Sequence, residues 1–158
     1  SIRFMMLNRS NDAELDFDFE KVKEKTKDNP VFYVQYAYAR INSISRILEI
    51  NLNDQVSMNS KTFKPNEYEV KIIRKIFEWP KIIESAAYKL EPHKIPFYLY
   101  ELSTLFHSYW SKGNEDNKFK LIENGKAKKD DTFALIYLVA IVIKNGMNIL
   151  GVSLPEKM

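Results

Sequence analysis

Four aromatic side chains and an arginine, Phe32, Tyr33, Tyr36, Tyr38 and Arg40, are crowded into the stretch NPVFYVQYAYARI at residues 29–41. Tyr36 and Arg40 stand four residues apart, so on a helix a ring adjoins a guanidinium, offering a stacking plane and a charged fork for phosphate together. Unpaired RNA bases are held by rings of this kind. The alternative is packing, with Tyr33 and Tyr36 lying against a neighbouring helix and their hydroxyls at the rim. The other reactive residue types do not assemble a catalyst. In LDFDFE, Asp16 and Asp18 alternate with Leu15, Phe17 and Phe19 and read as the wet face of a strand, with no base or nucleophile beside them. His93 reads as a first-turn helix residue, and His107, next to Phe106, as a packed or half-exposed histidine. The sequence holds no Gly-rich phosphate loop, no nucleophile elbow and no helical pair of metal-binding histidines. Read upward from its residues, the chain is a binding module, with no catalytic, cofactor-binding or metal-ligating residues assigned.

Composition sets the frame in which these residues sit. A chain of 158 residues, 45% hydrophobic and 13% aromatic, forms one domain, or one domain plus a tail, around a real core. With no cysteine and two histidines, thiolate zinc sites are excluded and other metal centres disfavoured. A net charge of +3 is compatible with a polyanionic partner without being the signature of a dedicated nucleic-acid arm. The longest apolar run, FALIYLVAIVI at residues 133–143, falls short of the roughly 20 residues a bilayer requires and reads as a buried helix. No signal-peptide layout is present, and a chain opening on SIRFMML is expected to be a piece of something longer.

The elements that position the ring cluster follow from periodicity. LDFDFE predicts a short strand or extended segment. From Pro30 to about Ile50 the spacing predicts a helix with Val34, Ala37, Ile41, Ile44 and Leu48 toward the core. Tyr33, Arg40 and Tyr36 then lie progressively off one flank as a ridge. Residues 51–66 read as a loop. A second helix begins near Asn66 with Val70, Ile73 and Phe77 on one face, and Pro80 is expected to break or restart it before Ile82, Ile83, Ala86 and Leu90, giving a bent pair. Glu91-Pro92-His93 opens a third, with Leu99, Leu102, Leu105, Phe106 and Tyr109 as its stripe, ending near Gly113. Residues 114–129, carrying Lys118, Lys120, Lys126, Lys128 and Lys129, read as a mobile connection. Asp130 or Asp131 caps a final, central helix that ends near Gly151. The fold class is an all-α helical bundle with a short extended N-terminal segment.

The segment NPVFYVQYAYARI resembles the N-P-x-Y-Y-V-Q-Y-A-H-A-R-I segment of bacterial arginyl-tRNA synthetases. Further stretches of the chain fit in order: RFMML and LDFDFE before it, EPHKIPFYLYELSTLFHSYW after it, and NGMNILGVSLPEKM at the end. The resemblance implies that residues 1–27 are the C-terminal end of a class I catalytic domain and residues 28–158 a DALR-type anticodon-binding helical domain. It implies an anticodon pocket built from Tyr33 and Tyr36, from Tyr109 or Trp110, and from Met158, with Arg40 at the family arginine. Leu154 and Pro155 are expected to pin the tail VSLPEKM so that Met158 lies beside Tyr36 and the Tyr109–Trp110 rings. Tyr38 departs from the family's common histidine, and Thr132 and Ala140 from frequent arginines. The ATP-binding HIGH-like and KMSK-like motifs are not in this chain, so the resemblance implies ATP and arginine chemistry for the full-length enzyme and none here. The implied partners are tRNA-Arg and the protein's own catalytic domain, in a cytoplasmic, monomeric parent without membrane contact. Two other readings stand beside it: a complete enzyme, and a helical protein-interaction module without RNA binding.

Overall fold

The computed structural model describes residues 2–9, 24–26, 28–50, 63–128 and 130–158. LDFDFE and most of the loop expected at residues 51–66 lie outside them. Five α-helices carry the described fold: α1 (Ile2–Leu7), α2 (Pro30–Ile47), α3 (Glu67–Tyr88), α4 (Lys94–Glu115) and α5 (Asp130–Ile149). The bundle is helical, as its periodicity predicts.

Helix α2 starts where its chemistry dictates. The Asn29 side chain accepts from the Phe32 amide at 3.4 Å, and Pro30, which has no amide to leave orphaned, takes the first helical position. The expected core face is buried at Val34, Ala37, Ile41 and Ile44. The helix stops when Glu49 turns left-handed at φ 55° and the Ile50 amide reaches back to the Ser45 carbonyl at 3.0 Å.

Helix α3 corrects the expected bent pair. It runs unbroken through Pro80, which sits on the exposed side where the backbone bond it cannot donate is least costly to lose. The core face differs accordingly. Ile72, Trp79 and Ala86 are buried, with Ile76 and Ile83 packed between them, a 3–4 spacing continuous across the proline. Phe77 and Leu90, assigned to apolar stripes, are 80% and 76% exposed.

Helix α4 buries Leu99, Leu102, Phe106 and Tyr109 as expected. Residues 114–129 are the second correction. A 3₁₀ turn (Asn117–Phe119) and a two-stranded hairpin, β1 (Ile122–Glu123) with β2 (Lys126–Ala127), occupy the segment. Asn124 and Gly125, at φ 51° and 74°, form the two-residue loop that an Asn-Gly pair favours. Phe119 and Leu121 are buried and anchor the segment to the core. Gly113 allows the close approach, since a Cβ there would stand 3.0 Å from the Phe119 carbonyl.

Helix α5 packs on α2, α3 and α4 at once, which its apolar circumference anticipates. By length and composition Asp131–Ile149 could cross a membrane, and 61% of that window is buried inside the bundle. It ends at Gly151, φ 64°, with the Val152 amide bonded to the Met147 carbonyl at 2.9 Å.

Candidate nucleic-acid interface

The ridge expected on α2 meets α4. Helical spacing brings Tyr36 and Arg40 together, and the guanidinium lies 4.3 Å from the centroid of the Tyr36 ring while donating through Nη2 to the Tyr36 hydroxyl. Trp110, partly buried on α4, sets a second ring 5.2 Å from the same guanidinium. The result is a cation held between two rings, preset for a phosphate or a base edge while its flat partners stay partly exposed.

Beneath it, the rings stack inward. Phe32 lies parallel to Tyr36 at 6.0 Å, and His107 lies against both Tyr36 and Tyr33, at 5.4 and 4.4 Å. Tyr33 also meets Tyr100 at 5.3 Å, and burial raises its hydroxyl pKa. His107 Nε2 donates to the Tyr33 carbonyl at 3.2 Å, the role available to the neutral ring. Burial pushes the His107 pKa down to about 4, the Tyr33 carbonyl opposes that fall, and Arg40 adds to it. Above its ordinary value of 6.5 the ring is neutral folded and unfolded, and stability is independent of this group. As pH falls from 6.5 toward 4 the unfolded chain takes up a proton that the folded chain refuses, so stability declines. The full loss is on the order of 3 kcal/mol. Thermal melts across this window are expected to drop more steeply for the wild type than for His107→Gln; parallel curves would exclude the assignment.

Tyr109 is placed elsewhere. It is 2% exposed, its hydroxyl donates to Glu69 Oε1 at 2.9 Å, and Asn66 Nδ2 donates to that hydroxyl at 3.1 Å. Burial first, and the Glu69 carboxylate with it, raise its pKa. Glu69 is wholly buried and also accepts from Thr132 Oγ1 at 2.5 Å and the Asn66 amide at 2.7 Å. Of the two adjacent rings, Trp110 belongs to the ridge and Tyr109 to this buried network, which ties α3, α4 and α5 together. Glu69 was missed, although N-x-x-E at residues 66–69 is a legible capping box.

The tail is packed against α2. Val152 is buried, Leu154 and Pro155 are partly so, Gln35 Nε2 donates to the Ser153 carbonyl at 2.9 Å, and Arg46 Nη1 to the Glu156 carbonyl at 3.3 Å. Gln35 and Arg46 lie on the flank about 90° round the helix from Tyr36, at 100° per residue. Met158, at the end of this strap, is 54% exposed. On the same side Tyr38, Asn42, Arg46, Tyr137 and Lys144 line a groove of about 600 Å³. Tyr38 therefore faces away from the ridge, and Ala140 lines that groove while Thr132 is buried on Glu69.

Comparison with known proteins gives this arrangement a context. A curated arginine–tRNA ligase from Pelagibacter ubique is 52% identical over 99% of the chain, and one from Brucella ovis 45% identical over 99%. The chain spans 27% and 28% of the length of those two relatives. A solved structure from Campylobacter jejuni, described as an arginyl-tRNA synthetase, superposes with a TM-score of 0.83 at 27% identity, covering 99% of this chain and 33% of that one. The arginyl-tRNA synthetase of Thermus thermophilus shares the fold at a TM-score of 0.74 and 23% identity, over 99% of this chain and 26% of its own. The family model of the DALR anticodon binding domain matches residues 34–158, from within α2 through α5 and the tail, and the chain belongs to that family.

Proposed function

We propose that this chain is the anticodon-reading part of an arginine–tRNA ligase that charges tRNA-Arg with arginine at the expense of ATP. Residues 1–27 are the end of the catalytic domain in this reading and residues 28–158 the anticodon-binding domain; ATP and arginine chemistry belong to the longer protein. The parent works as a cytoplasmic monomer, away from membranes. Tyr36, Arg40 and Trp110 receive the unstacked anticodon loop, Tyr33 backs Tyr36 through His107, Tyr109 braces the packing of α3, α4 and α5 through Glu69, and Met158 offers a thioether from the flank along which the tail runs. The observation that carries the reading is the Arg40 guanidinium between the Tyr36 and Trp110 rings, since it offers stacking and phosphate contact at one point of the surface.

The test is titration with anticodon stem–loop transcripts that differ only at anticodon positions. Affinity should depend on those bases and fall steeply as salt rises. Equal, salt-insensitive binding of all transcripts would remove the reading in favour of a protein-docking surface. Arg40→Ala is expected to weaken binding and to lower the slope of log affinity against log salt by about 0.7, one single-strand phosphate contact. Its melting temperature should stay within a few degrees of wild type. A collapse of melting with unchanged binding per folded molecule would make Arg40 a structural residue.

A further inference from the structure

The lysines of the 3₁₀ turn and hairpin extend the ring platform. Lys118, Lys120 and Lys128 converge on a crevice whose remaining walls are Asn66, Tyr109 and Thr132. Lys120 also lines a second, shallow crevice of about 50 Å³ together with Trp110, Asn114 and Leu121. Trp110 in turn covers Arg40. A continuous line of cations therefore runs from Arg40 past Trp110 to Lys120 and on to Lys118 and Lys128.

Among the described residues no carboxylate lines either crevice. Among the described residues the three lysines form no ion pair, whereas Lys75, Lys94 and Lys112 each do. Glu69, behind Tyr109 and Thr132, is sealed in the core with three donors of its own. Neighbouring acids are engaged elsewhere: Glu115 with Lys112, Asp116 in capping the Lys118 amide, Glu123 with Asn117. Two of the ammonium groups are restrained by the fold: Lys128 Nζ donates to the Asn117 carbonyl at 2.5 Å, and Lys118 Nζ lies 5.5 Å from the Phe119 ring. Like charges gathered without a counter-charge are relieved by a polyanion.

We propose that the three lysines at the rim of this crevice, itself only about 10 Å³, form a surface phosphate track, along which the RNA backbone leaves the ring platform and crosses the hairpin. The proposal rests on the RNA-binding reading above and adds a second contact area that supplies affinity and salt dependence, leaving base discrimination to the rings.

The test compares the Lys118→Gln, Lys120→Gln, Lys128→Gln triple variant with Tyr36→Ala, using an anticodon stem–loop between about 0.05 and 0.3 M salt. The triple variant is expected to bind about tenfold more weakly near 0.15 M salt, with its log–log salt slope reduced by about 2 and its preference among anticodon variants unchanged. Tyr36→Ala should show the converse, lost preference with the slope lowered by no more than about 0.7, the share that Arg40 contributes. If the triple variant disturbs melting through the Lys128 bond to Asn117, the Lys118, Lys120 pair of substitutions carries the same test with a slope change of about 1.4. Wild-type affinity and slope in the lysine variants, beside an impaired Tyr36→Ala, would overturn the track and leave the ring reading intact. Absence of RNA binding by the wild-type chain would overturn both. Pyrophosphate at matched ionic strength is expected not to displace the RNA; displacement by it would assign the crevice to a free anion instead.

Discussion

Glu69→Ala is expected to lower the thermal midpoint by on the order of 10 °C, a larger loss of stability than any substitution on the ring ridge should cause. The carboxylate is wholly buried and serves three donors from three elements: the Asn66 amide at the start of α3, the Tyr109 hydroxyl on α4 and the Thr132 hydroxyl on α5. Alanine removes the reciprocal half of the capping box and leaves the Tyr109 and Thr132 hydroxyls and the part-buried Asn66 backbone amide without their acceptor. Hydrogen bonds to a charged group are worth about 1.5–3 kcal/mol each, and orphaned donors add a desolvation penalty, so a loss of about 3–5 kcal/mol is reasonable. For a chain of this size each kcal/mol moves the midpoint by about 2–4 °C. Glu69→Gln should fall between: its amide oxygen still accepts from Tyr109 and Thr132, while its NH₂ group faces the Asn66 amide, donor against donor. Circular-dichroism melts of the three proteins decide the matter, and equal midpoints for wild type and Glu69→Ala would show that the network contributes nothing net.

The contrast between Glu69 and Tyr36 explains what could be read from the sequence and what could not. Period, cap and breaker are local, so α2, α4 and α5 follow from apolar spacing, Pro30 and Gly151. The ridge of Tyr33, Tyr36 and Arg40 is local too, and one helical turn suffices to join Tyr36 to Arg40. The errors arose where a local signal competes with a distant partner. Pro80 argues for a break, but Ile76, Trp79 and Ile83 continue one face across it and the packing of that face holds the helix together. Lysines and acids at residues 114–129 argue for a loose connection, although Asn124-Gly125 is a hairpin signal and Phe119 and Leu121 are its anchors. The inward turn of Tyr109 and the outward turn of Trp110 differ by one residue. The apolar stripe of α4 turns Tyr109 inward, Glu69 across the bundle supplies its buried partner, and Trp110 is left to the ridge.

Replacing Tyr36 by alanine is expected to weaken binding of the anticodon stem–loop by about tenfold to a hundredfold. One lost base-stacking partner costs about 1–3 kcal/mol, and each tenfold step is about 1.4 kcal/mol. The ring also holds Arg40 in place, through the cation–π contact at 4.3 Å and by accepting the guanidinium's hydrogen bond, so alanine removes the plane and loosens the charge together. Two comparisons separate these effects. Tyr36→Phe keeps the plane and loses only the hydroxyl that Arg40 addresses, and a drop of about twofold to fivefold is expected, in line with one modest hydrogen bond. Adding Arg40→Ala to Tyr36→Ala should cost less than the sum of the single losses, because an arginine already freed from its ring has less ordered charge to lose. The fold should tolerate all of these variants, since Tyr36 stands on the flank of α2, away from the core face of Val34 and Ile41, and among the described residues its loss strips ring–ring contacts from Phe32 and His107 alone. A Tyr36→Ala protein that melts like the wild type and binds the RNA equally well would show that the rings of the ridge are packing, and that the RNA is read somewhere else on the bundle.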